Sequence, residues 1–225
     1  MSIVEVKNIQ RNYQQGEHIV RALRGVDLTI KKGEFTALMG PSGSGKTTLL
    51  NIIGGLDKPN EGEVSIDGQN LSSLNSGELS DLRLHKLGFV FQAYNLIPVL
   101  TAYENTEFVL LLQGKNATQG KVLTTLASVG LEGMEHRRPS ELSGGQQQRV
   151  AVARAIVGDP VLVLADEPTA NLDSKTGNAL IDLMKELNEK HGVTFVFSTH
   201  DPKVKKATKR IVELEDGNII NDSMK

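Results

Sequence analysis

The chain has 225 residues, 39% of them hydrophobic and 23% charged, with 25 Lys+Arg against 27 Asp+Glu and a formal net charge of -2. That length buries a substantial core without disulfides or a structural metal, and the near-neutral balance argues against a surface that is basic overall and made for nucleic acid. Its 0 cysteines exclude disulfides, thiol catalysis and Cys-ligated zinc together.

In chain order, Val26, Leu28 and Ile30 alternate as in a half-buried strand. Phe35 to Met39 is a short apolar run that ends in a Gly-Pro-Ser-Gly turn, after which Leu49, Leu50, Ile52 and Ile53 share one helical face. Val64 and Ile66 lead into Asp67-Gly68, a hairpin signal. Leu87 to Phe91, Val161 to Ala165 and Val193 to Phe197 read as buried strands, and Ile211 to Leu214 before Asp216-Gly217 as part of a terminal hairpin. From about Tyr94 to Val157 the signals are mostly helical, with capping boxes at Thr101/Glu104 and Ser143/Gln146. The expected organisation is an α/β core, 1–92 plus 159–225, with a helical subdomain over 93–158. No apolar run reaches the roughly 18 residues needed to span a bilayer, and Met1 to Lys7 has neither basic cap nor apolar signal core. A soluble chain that reaches a membrane only through a partner is expected.

Gly40-Pro41-Ser42-Gly43-Ser44-Gly45-Lys46-Thr47 fits G-x-x-x-x-G-K-[ST] between a strand and a helix. Its glycines let backbone N–H groups curl around an anion at a helix N-terminus. Lys46 then reaches the β and γ phosphates, and the Thr47 hydroxyl binds Mg²⁺. A dinucleotide fingerprint is disfavoured, because Thr48 stands where its third glycine belongs. Val161 to Ala165 delivers Asp166 and Glu167 at a strand tip: Asp166 can hold magnesium through water, and Glu167, turned another way, can take a proton from an attacking water.

Leu142-Ser143-Gly144-Gly145-Gln146 opens a capped helix whose glycines leave its first N–H groups uncovered, a second anion site. One γ-phosphate does not need two such helices from one chain, so a dimer is expected in which each of these helices covers the other subunit's nucleotide.

The phosphate loop, Leu142 to Gln146, Asp166-Glu167 and Ser198-Thr199-His200-Asp201 stand in the order of an ABC-type ATPase, which the chain resembles over essentially its whole length. The resemblance implies a P-loop NTPase core (a RecA-like mixed sheet with an N-terminal antiparallel β subdomain) plus an inserted α-helical subdomain. It implies ATP and Mg²⁺ as cofactors and hydrolysis to ADP and phosphate. It adds Thr48 to the phosphate-binding residues and makes Tyr13 the aromatic that stacks on adenine. Gln92 becomes the glutamine that touches magnesium and the attacking water and senses a membrane partner. Asn171 to Asp173 becomes a loop between two subunits, with Asp173 at the dimer interface, and His200 contacts the γ-phosphate. His18, His85, His136 and His191 carry no motif.

More narrowly, Asn51 to Pro59, Gly88 to Pro98 and Arg138 to Gly145 are similar to the LolD/MacB/FtsE-like group, whose membrane partners transmit force across the membrane. Ala170 stands where that pattern more often has Gly. The expected partners are a second ATPase subunit and a transmembrane permease, with no nucleic acid, at the cytoplasmic face of the membrane. The segment Gln92 to Glu107, with Tyr94, Leu96, Ile97, Leu100 and Tyr103 around Pro98, is expected to dock the permease. A non-transport ABC ATPase of DNA repair or translation is the alternative. Repair-type chains carry long coiled-coil arms between the phosphate loop and the signature, and translation-associated ones carry two tandem halves. The cargo is not encoded in these motifs.

Overall fold

Two long N-terminal strands, β1 (Ser2–Gln15) and β2 (His18–Lys31), pair antiparallel and begin a four-stranded sheet ordered β2-β1-β4-β5, where β4 is Glu61–Ile66 and β5 is Gln69–Asn70. This is a computed structural model, and it describes residues 1–116 and 119–224. Between β2 and β4 the chain forms β3 (Phe35–Met39) and α1 (Lys46–Ile53). After β5 come α2 (Ser76–Lys86), β6 (Leu87–Val90), α3 (Ala102–Leu112), α4 (Gln119–Ser128), α5 (Gly144–Ile156), β7 (Leu162–Asp166), α6 (Ser174–His191), β8 (Phe195–Thr199), α7 (Pro202–Ala207), β9 (Arg210–Glu215) and β10 (Asn218–Met224). A six-stranded sheet is ordered β10-β9-β3-β8-β7-β6, parallel except for the antiparallel β10.

Alternation of side chains divides the core. Leu38, Leu162, Leu164 and Val196 point to one face of the large sheet, where α1 and the small sheet cover them. Ala37, Val163, Ala165, Phe195 and Phe197 point to the other, where residues of α3, α4, α5 and α6 pack. Phe35 and Phe197 meet edge-on there, with ring centroids 4.6 Å apart. Helix α1 is therefore enclosed by both sheets, and Leu49, Leu50, Ile52 and Ile53 are all buried. The hairpins at Asp67-Gly68 and Asp216-Gly217 form as expected, with positive φ at both central residues of each.

Some elements differ from the sequence expectation. The strand expected from Val193 begins at Phe195, because Gly192 closes α6 in the left-handed region at φ 67 and the Val193 N–H turns back to Leu187 O. The same strand runs on through Ser198 and Thr199. Helices α2 and α6 lie outside the elements expected. Their caps are Asn75, in a box with Glu78, and Asp173, and neither sits in the Ser/Thr-led pattern that marks α3 and α5. In the segment expected to face a permease, Leu96 and Tyr103 instead pack against the core cluster, whereas Val99 is 72% exposed.

Gly88 in β6 is set by close approach: a Cβ there would lie 2.3 Å from the Ala155 carbonyl oxygen of α5. Gly88→Ala must push α5 off the sheet, and we expect a loss of about 1–3 kcal/mol of stability by overpacking, read from denaturant unfolding. Unchanged stability would contradict this contact.

Candidate functional site

The loop after β3 is shaped by two glycines that tolerate no side chain. A Cβ on Gly40 (φ 153) would stand 2.1 Å from Leu214 O and 2.7 Å from Ser44 Oγ, and one on Gly45 (φ 101) 2.5 Å from Ala22 O. Gly45 is also the N-cap of α1, with no side chain over the first-turn N–H groups, so these are free to meet an anion. Pro41, Ser42 and Gly43 are exposed, whereas Ser44 is buried and its Oγ finds no partner among the described residues. Lys46 is buried and donates to Gly40 O at 2.9 Å and Pro41 O at 2.8 Å. Burial holds its ammonium below the ordinary lysine value, while the charges of Glu167 and Asp166 act in the opposite direction. Thr48 is half-buried next to the exposed Thr47.

Strand β7 brings Asp166 to this loop, and Thr47 Oγ1 donates to Asp166 Oδ1 at 3.0 Å. Hydroxyl and carboxylate side by side are hard oxygen donors of the kind that suit Mg²⁺. Among the described residues no group of three or more His, Cys, Asp and Glu could hold a metal. Glu167 leaves the strand with φ 45, which aims its side chain away from that of Asp166. Its Oε1 lies 2.8 Å from His200 Nδ1, and its Oε2 accepts from Thr199 Oγ1 at 3.3 Å. His200 thus stands beside the predicted base rather than alone at the phosphate loop, and its side chain is 71% exposed.

Gln92 is exposed and exchanges hydrogen bonds with Asn171: its Nε2 lies 3.4 Å from Asn171 Oδ1, and Asn171 Nδ2 donates to Gln92 O at 3.0 Å. It is directed to the loop after β7 rather than to Thr47 or Asp166. Asp173 caps α6, accepting from the N–H groups of Lys175 and Thr176 and from Thr176 Oγ1. The Thr176 hydroxyl bond is the main reason its carboxyl lies below the usual range.

At the N-terminus of α5 the capping box is formed, with Gln146 Oε1 accepting from Ser143 N at 2.9 Å. Ser143 is exposed, and Gly144 and Gly145 pack so closely that a Cβ would lie 2.9 Å from Tyr94 Oη and 2.3 Å from Thr176 Cγ2 respectively. Gln146 Nε2 reaches Met134 Sδ. The neighbours of this helix end are therefore Tyr94, Met134 and Thr176, not the phosphate loop of the same chain.

Tyr13, at the end of β1, donates its hydroxyl to Asp57 Oδ2 at 2.6 Å, and the Arg11 guanidinium lies 4.5 Å over its ring. Two further side chains escaped the sequence reading. Gln148, fully buried in α5, donates to Pro168 O at 3.0 Å and lies 3.5 Å from Phe91 O. Arg154 donates to the carbonyls of Tyr94 and Asn95. Both lie on the helix that the signature opens, and only contact with the loops identifies them.

A family profile described as ABC transporter matches residues 23–170. The chain is 49% identical over 223 residues to the uncharacterized ABC transporter ATP-binding protein MJ0796 of Methanocaldococcus jannaschii, covering 96% of this chain and 95% of that one. It is 47% identical over 223 residues to the macrolide export ATP-binding/permease protein MacB of Escherichia coli, covering 98% of this chain but only 34% of that protein. A dimeric structure of MJ0796 in a post-hydrolysis state bound to ADP and Pi superposes with a TM-score of 0.90, at 48% identity over 99% of this chain and 98% of that one. A phosphate loop beside the Asp166 strand tip, a separate glycine-opened helix and this likeness over nearly the full length converge on one assignment: the chain belongs to the ABC transporter family.

Proposed function

We propose that the chain is the ATP-binding and ATP-hydrolysing subunit of a membrane transporter and works as a homodimer with a separate permease. The single observation that carries the mechanism is the Thr47–Asp166 contact at 3.0 Å, which joins the helix start that binds phosphate to the strand end that carries the acids. The non-transport alternative loses its support. Between the phosphate loop and the signature, α2, α3 and α4 have 11, 11 and 10 residues, too short for coiled-coil arms.

The backbone N–H groups of Ser42 to Thr48 and the Lys46 ammonium surround the β and γ phosphates and stabilise the charge that spreads over the transferring group. Thr47 and, through water, Asp166 would hold Mg²⁺, which when bound neutralises charge on the same phosphates; Gln92, bonded to Asn171 in this structure, would have to leave that partner to join them. Glu167 orients the attacking water and accepts its proton, and His200, already in contact with Glu167, steadies the geometry of that pair. Ser143 to Gln146 serves the nucleotide on the other subunit, since within its own chain this helix end faces Tyr94, Met134 and Thr176. MJ0796, named as a dimer in a post-hydrolysis state bound to ADP and Pi, supports a dimer that hydrolyses ATP.

No helix among the described residues is long and apolar enough to cross a membrane. Attachment to the cytoplasmic face runs through the permease, which in MacB is part of the same protein as the ATPase, as that protein's name states. A cavity of about 390 Å³ is lined by Leu56, Phe89, Phe91, Asn95, Val109 and Arg154 among others. With the exposed Val99, Phe108, Leu111 and Leu112 nearby in sequence, it forms the surface we assign to the permease.

Glu167→Gln preserves shape and removes basicity. Hydrolysis should fall at least about 100-fold, and the protein should accumulate as an ATP-bound dimer in size-exclusion runs; wild-type turnover or a persistent monomer would refute the base assignment or the dimer respectively. Lys46→Ala and Ser143→Arg subunits should each be inactive alone and active when mixed, because the heterodimer has one site carrying both lesions and one intact. Activity that stays absent in demonstrated heterodimers would argue against action in trans. Val99→Glu should melt normally, keep basal ATPase and lose the permease in pull-down, whereas Leu96→Glu should be destabilised by about 1–3 kcal/mol. Normal permease binding by Val99→Glu would move the interface elsewhere.

A further inference from the structure

We propose that Arg11 and Asp57 form a latch that fixes the ring of Tyr13 in place for the nucleotide base, which makes both of them positioning residues for base recognition. The proposal rests on the reading of Tyr13 as the residue that stacks on adenine.

The ring is held at two points. Its hydroxyl donates to Asp57 Oδ2 at 2.6 Å, and one face is covered by Arg11, whose guanidinium carbon lies 4.5 Å from the centroid. Arg11 in turn binds Asp57 with two parallel hydrogen bonds, Nε to Oδ2 at 3.0 Å and Nη2 to Oδ1 at 2.8 Å. This planar fork is the geometry in which arginine is most selective for a carboxylate. Arg11 and Asp57 are largely withdrawn from water, with side chains 21% and 23% exposed. The three groups close a triangle and leave the opposite face of the ring as the one a base can cover.

The latch stands where a base would lie. Tyr13 pairs with Val20 on β2, and two residues further along β2 the Ala22 carbonyl abuts Gly45 of the phosphate loop. Two strand residues and one strand spacing amount to roughly 7 Å and 5 Å, a reach comparable to that from a nucleotide's phosphates to its base. Asp57 belongs to the same rigid unit. Its N–H points to Asn51 O of α1 at 3.3 Å, and its loop is pinned to β1 by Asn60 N to Gln10 O at 2.8 Å and Asn12 N to Asn60 Oδ1 at 2.7 Å. One helix therefore presents free N–H groups to the phosphates at its start and, just past its end, the carboxylate that holds the ring. An aromatic fixed before binding loses less rotamer freedom when the base arrives than one turning freely at a strand end.

An ion pair of this kind that only braced the sheet would affect all ligands alike, so the test compares a ligand with a base and one without. Affinities for ATP and for inorganic tripolyphosphate are measured by titration on the full chain, with thermal melting of each variant. Tyr13→Ala should weaken ATP about tenfold or more, as expected for loss of a base–aromatic stack, and leave tripolyphosphate unchanged. Asp57→Asn and Arg11→Gln should each weaken ATP about three- to tenfold, the scale of one ordinary hydrogen bond, because the ring itself remains, again with tripolyphosphate unchanged. Combined with Tyr13→Ala, neither should add a further loss. Tyr13→Phe keeps the ring and removes the bond to Asp57, so it should match Asp57→Asn and replaces it should that variant fail to fold. Equal weakening of both ligands, no weakening of ATP, or full additivity with Tyr13→Ala would overturn the latch. Should Tyr13→Ala leave the ratio of ATP to tripolyphosphate affinity unchanged, the stacking assignment falls and the latch with it. Should Tyr13→Ala change that ratio while Arg11→Gln, Asp57→Asn and Tyr13→Phe do not, stacking stands and the latch alone is wrong.

Discussion

Enclosure of α1 between two sheets is the constraint on which the rest of the molecule depends. Its apolar residues share one core cluster with Leu38, Leu164 and Val196 of the larger sheet and with Val4, Val6 and Ile66 of the antiparallel sheet. With both flanks closed, the end of the helix left open is the N-terminus, where no side chain caps the first turn. Burial thus fixes the direction of an uncapped helix end, because the helix cannot turn or slide without exposing apolar area on one sheet or the other. Arg210 ties the two sheets together at their edge, donating to Thr29 O of β2 at 2.7 Å and to Glu34 at 2.8 Å while it holds Asp222 of β10. The parallel register then sets Asp166 opposite Ser198, so the carboxyl ends of β7 and β8 open into the same crevice as α1.

The signature helix is registered on this frame by a polar contact in an apolar setting. Gln148 is fully buried, and its amide nitrogen reaches one carbonyl just before Gln92 and another just after Glu167. Its Oε1 finds no partner among the described residues. A buried amide is costly when its bonds are lost, so α5 has one favoured position against both segments. The same helix touches Thr176 of α6 through Gly145, which places its N-terminus next to the Asp173 cap. The residues that would face a second subunit are thereby grouped by packing within the first.

Much of this was legible in the sequence because it is local. A phosphate loop needs its glycines, lysine and threonine in consecutive positions, and the geometry at Gly40, Gly45 and Thr47 follows from that spacing. The capping boxes at Thr101 and Ser143 are local too, and both form. What escaped was set by contacts across long stretches of chain. Arg11 meets Asp57 across 46 residues, Arg154 meets Asn95 across 59, and Gln148 meets Phe91 across 57. Nothing in the neighbourhood of an arginine in a strand foretells such a partner. Leu96 and Tyr103, in the segment expected to dock a permease, pack on the core for the same reason: apolar residues around a proline look like a surface patch until the helices that cover them are placed.

Arg154 shows how the groove and the catalytic crevice share one element. Tyr94 and Asn95 both adopt positive φ, 59 and 51, immediately after the Gln92 segment. The left-handed region is tolerated by asparagine but strained for tyrosine, at about 1–3 kcal/mol for such a backbone position. Arg154 holds the pair by donating to both carbonyls from within α5, and burial pushes its guanidinium below its ordinary value. Satisfied by these two carbonyl dipoles, the guanidinium lines a cavity with Asn95 and Phe91. Only Ala93 and Tyr94 separate Asn95 from Gln92, and Gln92 is bonded to Asn171 beyond Glu167, so the cavity wall and the crevice at the strand ends are joined by one short segment.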